Sequence, residues 1–121
     1  MARTTITPVT PIGPYPVLPV AANSADLTLT AADVTNGNAI PFAGVARMLV
    51  LVQNSDASTA YTVTFDSARD GLNREGDIGP YSLSAGEVAA FVFSREGWRQ
   101  SDNMLYVNGQ NAAIKIAAIR L

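Results

Sequence analysis

From residue 26 to residue 121 the chain is a succession of short apolar or alternating runs, each closed by a turn signal. No other feature constrains the fold as strongly. Asp26-Leu27-Thr28-Leu29-Thr30 alternates polar and apolar residues, as a half-buried strand does. Asn36-Gly37-Asn38 follows as a turn. Residues 39–42 read as a short edge piece, because Pro41 has no N–H for a central ladder. Residues 45–53 form the strongest run. Within it, Met48-Leu49-Val50-Leu51-Val52 is apolar on both faces, which predicts a central strand covered on both sides. The polar cluster at 54–58 and the clean alternation of 60–66 then predict a hairpin, with Tyr61, Val63 and Phe65 on one face.

Residues 67–79 are the longest irregular stretch of this body. Tyr81-Ser82-Leu83 is a short strand. Residues 88–94 form another, with Val88, Ala90 and Val92 facing away from Ala89, Phe91 and Phe93. Residues 104–107 and 113–121 complete the series; the alanine-rich 112–121 leaves a final helix as the alternative there. Seven to nine strands at regular spacing with polar turns predict an all-β fold, a single antiparallel β-sandwich of jelly-roll-like type, with a small barrel as its relative.

The first twenty-two residues do not fit that pattern. Pro8, Pro11, Pro14, Pro16 and Pro19 rule out a helix or a central strand and favour extended polyproline II. The same stretch carries Ile6, Val9, Ile12, Tyr15, Val17, Leu18 and Val20, too apolar for an ordinary linker. It therefore reads as an extended arm over 1–22 on a domain over 23–121. At roughly 3.1 Å per residue the arm reaches about 60 Å, beyond the width of its own domain. The expected occupant of its far end is a neighbouring subunit, with Ile12, Tyr15, Val17 and Leu18 as anchors. Deleting residues 1–20 is expected to leave the body folded and to abolish attachment.

Composition narrows the function classes. The 121 residues suit one domain, and only 15% are charged against 48% hydrophobic, which suits packing in an assembly. The formal net charge is −2 with scattered Lys and Arg, so nucleic-acid binding by counterion release is disfavoured. The chain has no histidine and no cysteine, which removes the commonest general base and the usual soft metal ligands. Neither paired carboxylates nor a Ser-Lys arrangement stands out, so neither an enzyme nor a cofactor is expected. The longest aliphatic run, 48–52, is too short to span a membrane, and proline interrupts any signal-peptide core, so a soluble protein made in a cytoplasm is expected.

Two further clusters have a bland and a sharp reading each. Asp66, Asp70, Asn73, Glu75 and Asp77 gather oxygens within one loop, but their spacing is not that of an EF-hand, and Arg69 and Arg74 sit among them. A solvated loop with internal ion pairs is the first reading. A partner contact through Arg69, Arg74 and Asp77 is the second, and a Ca²⁺ site the third. Trp98, with Tyr61, Tyr81 or Tyr106, could stack on sugars or bases; a core tryptophan is the simpler reading.

The whole layout resembles the capsid decoration, or cement, proteins of tailed bacteriophages. The resemblance rests on the arm TPVTPIGPYPVLPV, the strand pair VARMLVLVQNSDASTAYTVTFDS and the loop DGLNREGDI. It extends through EVAAFVFSREGWRQSDNMLYV and the terminal AIKIAAIRL. It implies a virion protein on the outer surface of an icosahedral capsid, bound across major capsid protein subunits, forming a homo-oligomer (a trimer first, a dimer second) and stabilising the shell without catalysis. The alternative is a carbohydrate-binding or tail-fibre-associated β module; a head–tail connector or tail-tube protein is a third reading.

Overall fold

The computed structural model describes residues 2–11, 26–68, 72 and 76–121. It is an all-β sandwich with no helix among these residues. The strands are β1 (Thr4–Thr5), β2 (Thr30–Ala31), β3 (Asn38–Pro41), β4 (Arg47–Asn54), β5 (Tyr61–Asp66), β6 (Ile78–Leu83), β7 (Val88–Ser94), β8 (Met104–Gly109) and β9 (Ile114–Arg120). One sheet has the order β1-β3-β8-β5-β6 and the other β2-β9-β4-β7. Every strand pair is antiparallel except β1 with β3.

Strict alternation drives the two sheets together. Met48, Val50 and Val52 of β4 point inward with no exposure, opposite Val63 and Phe65 of β5 and Leu105 and Val107 of β8, which are equally buried. Ile114 and Ile116 of β9 and Phe93 of β7 complete this layer. Removing that many branched and aromatic side chains from water supplies the dominant favourable term of folding.

Several sequence expectations need correction. Residues 45–53 and 60–66 do not form a hairpin. β4 pairs with β7 and β9, while β5 pairs with β6 and β8 in the opposite sheet. The turn between them crosses the sandwich, and Asn54 makes the crossing. Its amide donates to the carbonyls of Thr59 (2.8 Å) and Leu83 (2.9 Å), and its Oδ1 accepts from the Asp56 N–H (3.0 Å). Fully buried and fully bonded, this one side chain ties the turn to the end of β6. A crossing turn and a hairpin turn have the same polar composition, so the sequence could not tell them apart.

β4 is an interior strand, but only one of its faces is sealed. Leu49 and Leu51 on the outer face stay half-exposed. The alternative helix at the C-terminus is overturned: β9 is an interior strand that exchanges seven register pairs with β4, from Met48–Arg120 to Asn54–Ile114. β-branched isoleucine on the buried face outweighs the helix preference of its alanines. β3 is not at the sheet's edge, since β1 lies outside it along Asn38 and Ala39; Pro41 falls beyond that contact, where no N–H is needed. β6 begins at Ile78, inside the stretch read as irregular, and its register against β5 shifts between Val63 and Phe65. Gly79 sits at this shift with φ of 112°, and a Cβ there would meet the Val63 carbonyl oxygen at 2.7 Å.

Candidate functional site

The N-terminal segment is the unusual element of the fold. Residues 2–11 run across the edge of their own sandwich and touch both sheets. Thr4 and Thr5 add a parallel strand beside Asn38 and Ala39. The Thr4 N–H donates to the Gly37 carbonyl (3.1 Å) and the Ile6 N–H to the Ala39 carbonyl (2.9 Å). Ile6 then turns into the core at 3% exposure, and Pro8 is buried beside it. The chain emerges on the other sheet, where Val9 pairs with Ile119 of β9. The Val9 N–H donates to Ala118 O and the Arg120 N–H donates to Val9 O, both at 2.8 Å. Proline spacing makes this route feasible: Pro8 lies between two donors that are used, Ile6 and Val9, and itself has none to lose.

Side chains fasten the same segment. The Arg3 guanidinium donates to Asn108 Oδ1 (2.7 Å), to the Asn38 carbonyl (3.2 Å) and to Asp66 Oδ2 (3.2 Å), the last also an ion pair. Asn108 donates to the same Asp66 oxygen (3.1 Å). The Arg3 guanidinium carbon lies 4.1 Å from the centre of the Tyr106 ring, a cation–π contact. The Tyr106 hydroxyl donates to Asp102 (2.6 Å), and this bond holds the phenol above its ordinary range. On the other side of the strand the Thr4 hydroxyl donates to Asp33 Oδ2 (2.6 Å), while the other Asp33 oxygen accepts the N–H groups of Thr35 and Asn36. These bonds, Thr4's first, depress the Asp33 carboxyl below its usual value. Asn38, fully buried, accepts from the Asp33 N–H (2.8 Å) and donates to the Thr4 carbonyl (3.3 Å), coupling the turn to the segment.

The residues expected to carry function fare unevenly. Ile12, Tyr15, Val17 and Leu18 lie outside the described residues, as do Arg69 and Arg74. The expected arm–domain boundary after residue 22 also falls there; the part of the arm that is described belongs to the domain. Asp77 is described, and it works internally. Its Oδ1 accepts from the Ser67 N–H (2.8 Å) and Ser67 Oγ (3.1 Å), closing the base of the loop. Among the described residues no three acidic side chains gather as a metal site.

The aromatics form a packed series that ends in Tyr81, which is 45% exposed. Phe65 lies between Phe91 (4.9 Å) and Phe93 (4.7 Å). Tyr81 meets Phe91 edge-on (5.3 Å) and Trp98 meets Phe93 edge-on (4.8 Å). Trp98 is half-buried against the core.

Sequence reasoning passed over Arg3, Asp33, Asn38 and Asn108. The one signal available was a lone cation within an otherwise uncharged stretch of the arm, facing a body with a small excess of acidic residues. Compared with protein-family models, curated proteins and solved structures, the chain has no significant match.

Proposed function

We propose that this protein is a non-catalytic structural component of a virion. It would decorate the outside of an icosahedral phage capsid and stabilise the shell by binding across major capsid protein subunits. The observation that supports this reading is the clamping of residues 2–11. Val9 is fixed against Ile119, and the chain returns at β2, where Thr30 pairs with Ile116 on the same strand edge. The described residues on either side of the proline-rich apolar sequence around Ile12, Tyr15, Val17 and Leu18 therefore both pair with the same edge of β9. This placement suits contact of the intervening sequence with an adjoining subunit. The charge-poor surface suits dense packing. A protein that binds only the assembled shell raises shell stability by mass action, and many copies add avidity.

The experiment is co-sedimentation with icosahedral shells assembled from tailed-phage major capsid protein. Saturable binding to shells, and none to unassembled subunits, is expected. Replacing residues 12–20 with a Gly-Ser linker should abolish binding while circular dichroism stays unchanged. Absence of binding by the intact chain would overturn the reading. Binding unaffected by the linker would remove the anchor assignment. The linker replaces deletion of 1–20, because residues 2–11 are part of the fold.

A further inference from the structure

Among the described residues, three of the four sheet edges are protected. β1 covers β3, and β2 together with Val9 covers β9. β6 carries Pro80, which has no N–H to offer, and a register shift against β5. β7 has none of these devices. Its seven residues, Val-Ala-Ala-Phe-Val-Phe-Ser, include no proline, glycine or charge, and among the described residues its strand partner is β4 alone. Soluble proteins seldom leave such an edge bare.

The groups on this edge can be identified. The Asn54 N–H donates to Glu87 O and the Arg95 N–H donates to Ala46 O, and the register between these two points is unbroken. Odd-numbered positions of β7 therefore bond to β4. The N–H and C=O groups of Val88, Ala90, Val92 and Ser94 point away from the sheet. Their side chains share the outer face, where Val88 is 58% and Val92 57% exposed. The register sets Val92 beside Leu49 and Ala90 beside Leu51, both half-exposed leucines, so the edge continues into an apolar surface.

We propose that β7 pairs antiparallel with β7 of a second copy about a two-fold axis at Phe91. The four-stranded sheets of the two chains then become one. Outward groups are satisfied only where even positions face even positions. Within that set, charge selects the register. Glu87 and Arg95 flank the strand at equal distance from Phe91. Centring on Phe91 sets each Glu87 opposite the other copy's Arg95, with Val88 opposite Ser94 and Ala90 opposite Val92. Sliding by one hydrogen-bonded step sets Glu87 against Phe93 or Gly97 instead. One Glu87 oxygen accepts from the Ser84 N–H (3.1 Å), which orients the carboxylate at the strand's entry. The contact is self-complementary, as a two-fold interface must be, and supplies about eight main-chain hydrogen bonds.

The pairing does not depend on shell binding, and its test uses the isolated chain, so the two readings fail separately. Sedimentation velocity across a concentration series should show a monomer–dimer equilibrium. Ala90→Pro removes an outward N–H and leaves the β4 ladder intact, so it should give a folded monomer. Arg95→Glu alone should weaken the dimer about five- to tenfold, and adding Glu87→Arg should restore it. For register, Val88→Cys with Ser94→Cys in this cysteine-free chain should oxidise to a covalent dimer. Opposed hydrogen-bonded residues lie about 5.5 Å apart, within disulfide range, whereas the two sites within one strand are about 20 Å apart. A chain monomeric at every concentration would overturn the proposal. So would a dimer indifferent to Ala90→Pro, or one in which the paired cysteines do not cross-link.

Discussion

The two flanks of this sandwich are closed by opposite means. On the β1/β2 side a peptide segment runs from one sheet to the other. It supplies backbone bonds to both, one apolar plug in Ile6, and a polar network around Arg3. On the β6/β7 side the sheets are held by rings, with Tyr81 against Phe91 and Phe91 against Phe65, while the β7 backbone edge is left unpaired by the described residues. Ring packing buries area without using main-chain donors. Strand addition uses donors and ends the sheet. The first flank is therefore finished within one chain, and the second keeps a valence for another.

The largest effect expected from this contrast is at Ile6. Its side chain enters the core at 3% exposure although it stands among the first residues of the chain. Ile6→Ala should cost about 2–5 kcal/mol in urea denaturation. That is a large part of the roughly 5–15 kcal/mol that holds a domain together. A matching truncation on the other flank, Val92→Ala, should shift stability by about 0.5 kcal/mol or less, since Val92 is mostly exposed in the monomer. Equal costs at the two sites would break the comparison, and would mean that the segment lies on the body without supporting it.

A smaller loss is expected at Gly37. Its φ of 75° is a conformation that L residues rarely adopt, and a Cβ there would run into the Arg3 guanidinium and stand 2.6 Å from Asn108 Oδ1. Gly37→Ala should cost about 1–3 kcal/mol through strain and a displaced Arg3. In the double variant with Arg3→Ala the clash with the guanidinium is gone while the φ strain and the Asn108 contact remain, so the combined loss should be smaller than the sum of the two single losses. Strict additivity in the same denaturation experiment would show that the turn and the segment are not coupled.

These two sites also show what could be read from the chain and what could not. Strand number, spacing and inward faces followed from alternation. Val63 and Phe65, Ala89 and Phe93, and Ile114 and Ile116 all point as their period of two requires. Pairing did not follow, because alternation says which face is buried and is silent about which sheet holds the strand. Residues 54–58 therefore read as a hairpin turn, and only the buried Asn54, bonded across to Leu83, reveals the crossing. The arm was read from proline and apolar content, which describes backbone preference but not destination. Proline leaves alternate donors free, so the same composition serves a tether and an edge strand. The clamp was illegible for another reason: Arg3 meets Asp66 and Asn108 across 63 and 105 residues of chain, a separation that no local pattern encodes.

The subtlest expected effect is electrostatic, and it separates the clamped flank from the crossing turn. Asp33 and Asp56 both have carboxyls depressed below the ordinary value of 3.8. In Asp33 the largest cause is the Thr4 hydroxyl, followed by the Asn36 N–H; in Asp56 it is the N–H groups of Ser58 and Thr59. A depressed carboxyl binds its proton less readily in the folded state than in the unfolded one. Its contribution is therefore complete above the unfolded value and is lost as pH falls through the folded one. Removing the hydroxyl with Thr4→Val should move the Asp33 titration, followed by side-chain NMR, back toward the ordinary value. Asp56 should not move, because its partners are all within its own turn. Loss of the Thr4 bond should also bring forward, to higher pH, the acid release of residues 2–11, read as earlier amide exchange at Thr4 and Ile6. If Asp33 and Asp56 shift together, the variant has loosened the whole sandwich and the bond is not a local clasp. If neither shifts, the Thr4 hydroxyl does not hold Asp33 in solution, and the clamp is reduced to Arg3 and the backbone pairing.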